Sequence, residues 1–135
     1  MFSFNWKSGY CVGIDQLDAQ HRALMSHLNE LHEVMMGGNA NDAASALILK
    51  LVVLAQEHFA TEERLMDSTG FPGLAVHRAR HRELASKLGE FIARYELGDE
   101  VVYGQFMYFV RDWLARHMLN EDHEYAPWLI AHGIS

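Results

Sequence analysis

Residues 17–35 read LDAQHRALMSHLNELHEVM, and their apolar positions recur in steps of three and four. Leu17, His21, Leu24, Met25, Leu28, Leu31, His32 and Met35 share one face, the signature of an amphipathic helix in which each residue turns the chain by about 100°. Asp15 or Asp18 can cap its start, and Gly37-Gly38 supplies a stop. Before it, residues 1–14 have no helical period. Phe2, Phe4, Trp6 and Tyr10 alternate with interruptions at Gly9 and Gly13, so this stretch reads as an extended arm lying on the domain.

The same period returns three times. A second helix opens near Asn41, aligns Leu47, Leu51, Leu54, His58, Glu62 and Leu65, and stops around Ser68-Thr69-Gly70. A third follows Phe71-Pro72-Gly73 with Leu74, His77, His81, Leu84, Leu88 and Phe91 in phase, and ends before Gly98. Asp99 can cap a fourth, on which Val102, Phe106, Phe109, Trp113, Leu114 and His117 share a face. Pro127 as a first-turn residue and Gly133 as a stop suit one short final helix or turn. No hairpin signal interrupts the series. The expected class is all-α: an up-down-up-down four-helix bundle, with the arm at 1–14, the bundle at about 15–119 and a C-terminal segment at 120–135, all one domain.

Composition narrows the function. Eleven Lys+Arg against eighteen Asp+Glu give a formal charge of −7 with nine histidines neutral. Neither a nucleic-acid backbone nor an anionic membrane would attract such a chain. Cys11 is the single cysteine and is read as a packed arm residue, so a disulfide within the chain and cysteine-based metal or redox pairs are excluded. The start lacks a signal-peptide pattern, and the most apolar stretch, 46–55, is short and carries Lys50. A cytoplasmic, monomeric protein is expected.

The anomaly is polar residues on core faces. Each helix places a histidine there: His21, His58, the pair His77 and His81, and His117. Glu62 follows His58 by one turn, and residues four apart lie above one another, so His58/Glu62 and His77/His81 can each converge on a single point. Asp122 follows His117 by five residues, about 140° off its direction in an α-helix. Both face the interior only if the helix widens or ends between them. Of the other histidines, His27 lies about 240° round from His21 and is expected to face out. His123 and His132 fall in the tail. His32 is too far along the helix to share a metal with His21, and sits near the bundle end or along a route into the core.

Two carboxylates in an apolar interior without cations would be prohibitively costly, so five imidazoles and two carboxylates on inward faces point to metal. Imidazole with carboxylate and no thiolate suits iron, manganese, zinc or copper. Seven ligands are too many for one ion and fit two. If both carboxylates bridge and one oxide or hydroxide joins the ions, two six-coordinate ions keep one open position, on the ion with only two histidines. The paired Glu-x-x-His motifs of oxygen-activating carboxylate bundles are absent. Few anionic donors and one open position favour reversible capture of a small diatomic over oxidation of a substrate.

The chain resembles the hemerythrins, and among them the single-domain bacteriohemerythrins. The likeness runs from the Trp6 arm through Asp18-Ala-Gln-His21, His58-Phe-Ala-Thr-Glu62-Glu63, Phe71-Pro72 and His77-Arg-Ala-Arg-His81 to Trp113-Leu-Ala-Arg-His117 and Asp122 with Tyr125. The resemblance implies two iron ions joined by an oxo or hydroxo bridge. It places His77, His81 and His117 on one iron, His21 and His58 on the other, and Glu62 and Asp122 across both. It further implies that dioxygen binds reversibly at the second iron, walled by Leu24, Phe59, Trp113, Leu114 and Met118. Transport, storage or delivery, with an oxygen-consuming enzyme as candidate partner, is then the expected role, and not catalysis. The competing readings are a di-iron oxidase or peroxidase, an oxygen or nitric oxide sensor, and an iron-storage module.

Overall fold

The structure is a computed structural model that describes residues 10–36, 41–96 and 102–135. Expectations concerning residues 1–9, Gly37, Gly38, Gly98 and Asp99, and the side chains of Met35, Val102 and Met118, lie outside the described residues. Four long helices form the body: α1 (Asp15–Met36), α2 (Asn41–Ser68), α3 (Leu74–Glu96) and α4 (Val102–Arg116). A π-turn (His117–Glu121) then leads without a break into α5 (Asp122–Ala131). Each helix packs on its neighbour in sequence and α4 returns to α1, closing the four-helix bundle that the periodicity implies.

Local signals explain the boundaries. The first helical hydrogen bond runs from Asp18 N–H to Ile14 O, and the Asp18 carboxylate reaches back to accept from Val12 N–H at 2.9 Å. Asp18 thereby ties the arm to the helix it precedes. Its neighbours Tyr10, Val12 and Ile14 are buried, while Cys11 between them is half-buried. At the end of α2, Gly70 takes φ +69°, where a side chain would be strained, and Phe71 N–H closes back onto Met66 O at 2.9 Å. Gly133 (φ +89°) ends α5 in the same way, as its stop reading implies.

Two readings are corrected. Pro127 is not a first-turn residue: α5 begins at Asp122 and Pro127 lies inside it, because the chain runs from the π-turn into α5 with no loop to restart it. His27 does not face out. It is buried, and its Nε2–H donates to Leu47 O at 2.9 Å, because α2 packs against that flank of α1 and widens its buried arc.

Apolar residues gather in two clusters. The larger holds Leu24, Leu28, Leu51, Phe59, Leu84, Phe106 and Leu114 among others, and the smaller holds Val12, Ile14, Leu17, Met66, Tyr125, Ala126 and Leu129. α1, α2 and α3 each cross from one to the other, α4 reaches the smaller cluster only through its continuation into α5, and the polar residues sit at the crossing. His21 lies between Leu17 and Leu24, Glu62 between Phe59 and Met66, and His81 between Leu74 and Leu84.

Candidate metal centre

Of the seven sequence-selected donors, the structure gathers five most tightly. His21, His58, Glu62, His117 and Asp122 each offer a ligand atom within 4.8 Å of all the others, and all five are buried. The i,i+4 step on α2 brings His58 Nε2 against Glu62 Oε1. The five-residue step from His117 to Asp122 is met by widening: Asp122 N–H bonds to His117 O, the i→i+5 bond of a π-helix, which carries both side chains to one face. His81 joins through Glu62, with its Nε2 3.1 Å from Oε2. His77 is buried beside Tyr125, but its Nε2 lies 3.5 Å from the exposed Glu124, a residue the sequence did not single out.

Each carboxylate faces two ways. Glu62 turns Oε1 to His58 and His117 and Oε2 to His81. Asp122 sets Oδ2 2.6 Å from His21 Nε2 and Oδ1 3.0 Å from His117 Nε2, yet neither oxygen makes a hydrogen bond. The Nε2 atoms of His21 and His58 stand 2.9 Å apart, and those of His58 and His117 3.1 Å. Two donors about 2.1 Å from one ion and at right angles stand about 3.0 Å apart, so the His21–His58 spacing is that of two ligands sharing one cation. Lone pairs facing one another across such gaps, unpaired carboxylate oxygens and an unbonded His77 in a buried volume fit metal and not a self-satisfied core.

Three residues that the sequence reading passed over set the imidazoles. His58 Nδ1–H donates to Gln20 Oε1 at 2.8 Å, and Gln20 in turn donates to Thr61 Oγ1. His81 Nδ1–H donates to Glu63 Oε2 and His117 Nδ1–H to Glu121 Oε2, each at 3.1 Å. With Nδ1 so engaged, Nε2 keeps its lone pair for the centre. The signal was present for Glu121, one turn after His117, and for Gln20 and Glu63, each adjacent to a selected residue.

The buried charges of the centre act strongly on one another. Burial alone would raise the Glu62 carboxyl, but His117 and His58 beside it hold it well below the usual carboxylate range. Burial would lower His117, yet Asp122 and Glu62 lift it well above the ordinary imidazole value. Burial prevails at His58 and His77, which are lowered. It also pushes the Tyr125 phenol well above its ordinary value, reinforced by Glu62 and Asp122, so that hydroxyl keeps its proton.

The aromatic wall stands close by. Phe59 stacks on His81 with ring centres 4.1 Å apart, and Trp113 stacks on His117 at 4.9 Å. Phe59 is more distant from His58, at 6.1 Å. Leu24 and Leu114 are buried in the larger cluster beside them.

Comparison with known proteins places this arrangement. Residues 12–129 match the family described as the hemerythrin HHE cation binding domain. A bacteriohemerythrin of Stenotrophomonas maltophilia is 31% identical over 127 residues, covering 94% of this chain and 82% of its own. A myohemerythrin of Riftia pachyptila is 32% identical over 120 residues, covering 89% and 88%. A wild-type hemerythrin crystal structure superposes with a TM-score of 0.85 at 27% identity over 93% of this chain and 97% of that one. A hemerythrin mutant gives 0.87 at 26%, over 96% and 98%. With the match running across nearly all its length, the chain belongs to the hemerythrin family.

Proposed function

We propose that this chain binds dioxygen reversibly at a pair of iron ions. In this reading His77, His81 and His117 hold one ion, His21 and His58 hold the other, and Glu62 and Asp122 span both, with an oxo or hydroxo bridge between the ions. The observation that carries it is the buried convergence of five donor residues, two of them carboxylates whose oxygens face histidines of both groups. Bound iron would supply two electrons to dioxygen and take them back on release. The chain's own residues do the rest. Gln20, Glu63 and Glu121 fix the imidazole tautomers, and Leu24, Phe59, Trp113 and Leu114 form the wall that excludes water.

Among the described residues other than the candidate ligands, Tyr125 is the buried titratable group beside the two carboxylates, and its phenol is held protonated, which favours binding without turnover. Among the described residues no helix is long and apolar enough to cross a membrane. We read the protein as a cytoplasmic monomer of one domain that carries, stores or delivers oxygen to an oxygen-consuming partner. The test is an iron assay with visible spectra taken with and without oxygen. Two iron ions per chain and a band that appears with oxygen and disappears on its removal are expected. One metal per chain, or stoichiometric zinc in protein made with ample iron, would overturn the reading.

A further inference from the structure

The five convergent donors are wholly enclosed, so a cation arriving from water must cross a side chain that touches both environments. Glu124 does so. It leaves α5 two residues after Asp122, its side chain is 50% exposed, and its Oε2 lies 3.5 Å from His77 Nε2. The same oxygen accepts from Arg80 Nη1 at 3.0 Å. His77 is 1% exposed, and neither of its nitrogens is hydrogen-bonded.

The other rim carboxylates are engaged differently. Glu63 and Glu121 hold the Nδ1 atoms of His81 and His117, on the side turned away from the centre. Glu124 faces Nε2, the nitrogen that the other four histidines turn toward Glu62 or Asp122. A groove of about 190 Å³ between α3 and α4 opens beside Trp113, the ring stacked on His117. It sets Arg80, Lys87 and Arg116 against Glu83 and Glu121, a net positive rim that opposes a divalent cation.

We propose that Glu124, His77 and Arg80 form a cation-transfer gate: Glu124 takes ferrous iron from water and passes it to His77, while Arg80 competes for the same carboxylate oxygen and keeps the gate closed between transfers. The proposal rests on the two-iron reading. Carboxylate oxygen is a ready ligand for a hydrated divalent ion, and imidazole nitrogen binds first-row metals well, so the ion moves toward stronger donors as it sheds water. A surface ion pair like Arg80–Glu124 is weak and opens readily.

The test uses iron-loaded full-length chain. Because a gate lowers the barrier in both directions, Glu124→Gln should slow iron release to excess chelator, and uptake of ferrous iron by the stripped chain, each on the order of ten-fold. The final ratio should stay at two iron ions per chain. Glu83→Gln, which removes an exposed charge on the same side, should leave both rates unchanged. Arg80→Gln should speed both in the wild-type background and neither in the Glu124→Gln background. Equal rates in wild type and Glu124→Gln, equal slowing by Glu83→Gln, or a lower final iron ratio in Glu124→Gln would each overturn the gate. A wild-type chain that takes up one ion or none would overturn the two-iron reading itself, whereas two ions bound and released at variant-independent rates would overturn the gate alone.

Discussion

His58 and His77 each lie one helical turn before a second donor, yet the bundle treats them differently. His58 is fully buried, its Nδ1 is held by Gln20, and Gln20 is itself anchored on Thr61. His77 is nearly as buried but has no hydrogen bond, and its closest charged neighbour reaches into solvent. The spacing is identical, so the difference comes from what the facing elements bring: α1 presents an amide to His58, and α5 presents an exposed carboxylate to His77. The centre therefore has a sealed half, around His21 and His58, and a half in touch with water, around His77 and His81.

The severest break is at the residue both halves share. Glu62→Ala should remove both iron ions, seen as a fall from two per chain toward none by elemental analysis. Loss of one ion only would mean that Glu62 serves one half. Metal loss should also lower the melting temperature, since a ligand at 1,000 times its Kd adds about 4 kcal/mol to the native state. An unchanged melting temperature after iron removal would show that the donors are satisfied without metal.

Next comes the apolar wall. Leu114→Ala should cost about 2–5 kcal/mol in denaturant unfolding, leave iron content intact and shorten the lifetime of the oxygen-loaded protein. The proper control is Glu90→Ala on the exposed face of α3. An equal lifetime in the two variants would remove Leu114 from the wall.

The contrast between halves is sharpened by their supports. Gln20→Ala should weaken metal binding by roughly 10–100-fold in chelator competition. Glu63→Gln should do less, because glutamine keeps a side-chain oxygen that can accept from His81 Nδ1–H, whereas alanine at 20 leaves His58 Nδ1–H without its partner. Equal effects would show that the charge of Glu63, and not only its hydrogen bond, supports His81. Smallest of all, His27→Ala should cost about 1 kcal/mol of stability through its lost bond to Leu47 and leave iron content unchanged.

Much of this was legible before any coordinates. Repeated three-and-four spacing fixed four helices, and the inward histidines and carboxylates marked the centre. Even the misfit between His117 and Asp122 announced that the helix must widen or end between them, and it widens. What escaped depends on how helices lean on one another. His27 is off the face defined by His21, and only the close approach of α2 buries it. Gln20, Glu63 and Glu121 are ordinary polar residues one by one, and each gains a role through an imidazole on another helix or in the next turn. Glu124 is similar: nothing in its sequence neighbourhood says that an α3 histidine stands against it.

The π-turn also acts as a frameshift in the helical face. α4 buries Phe106, Val110, Leu114 and His117, a series that an uninterrupted helix would continue through Glu121 and Trp128. The residues buried instead are Asp122, Tyr125, Ala126 and Leu129, each one place later. A single extra residue thus delivers Asp122 to the centre and also supplies Tyr125, Ala126 and Leu129 to the smaller apolar cluster. No point substitution within the turn can reproduce or cancel that shift. In the history of such a chain, a one-residue insertion or deletion there would gain or lose the last ligand and the last packed helix together.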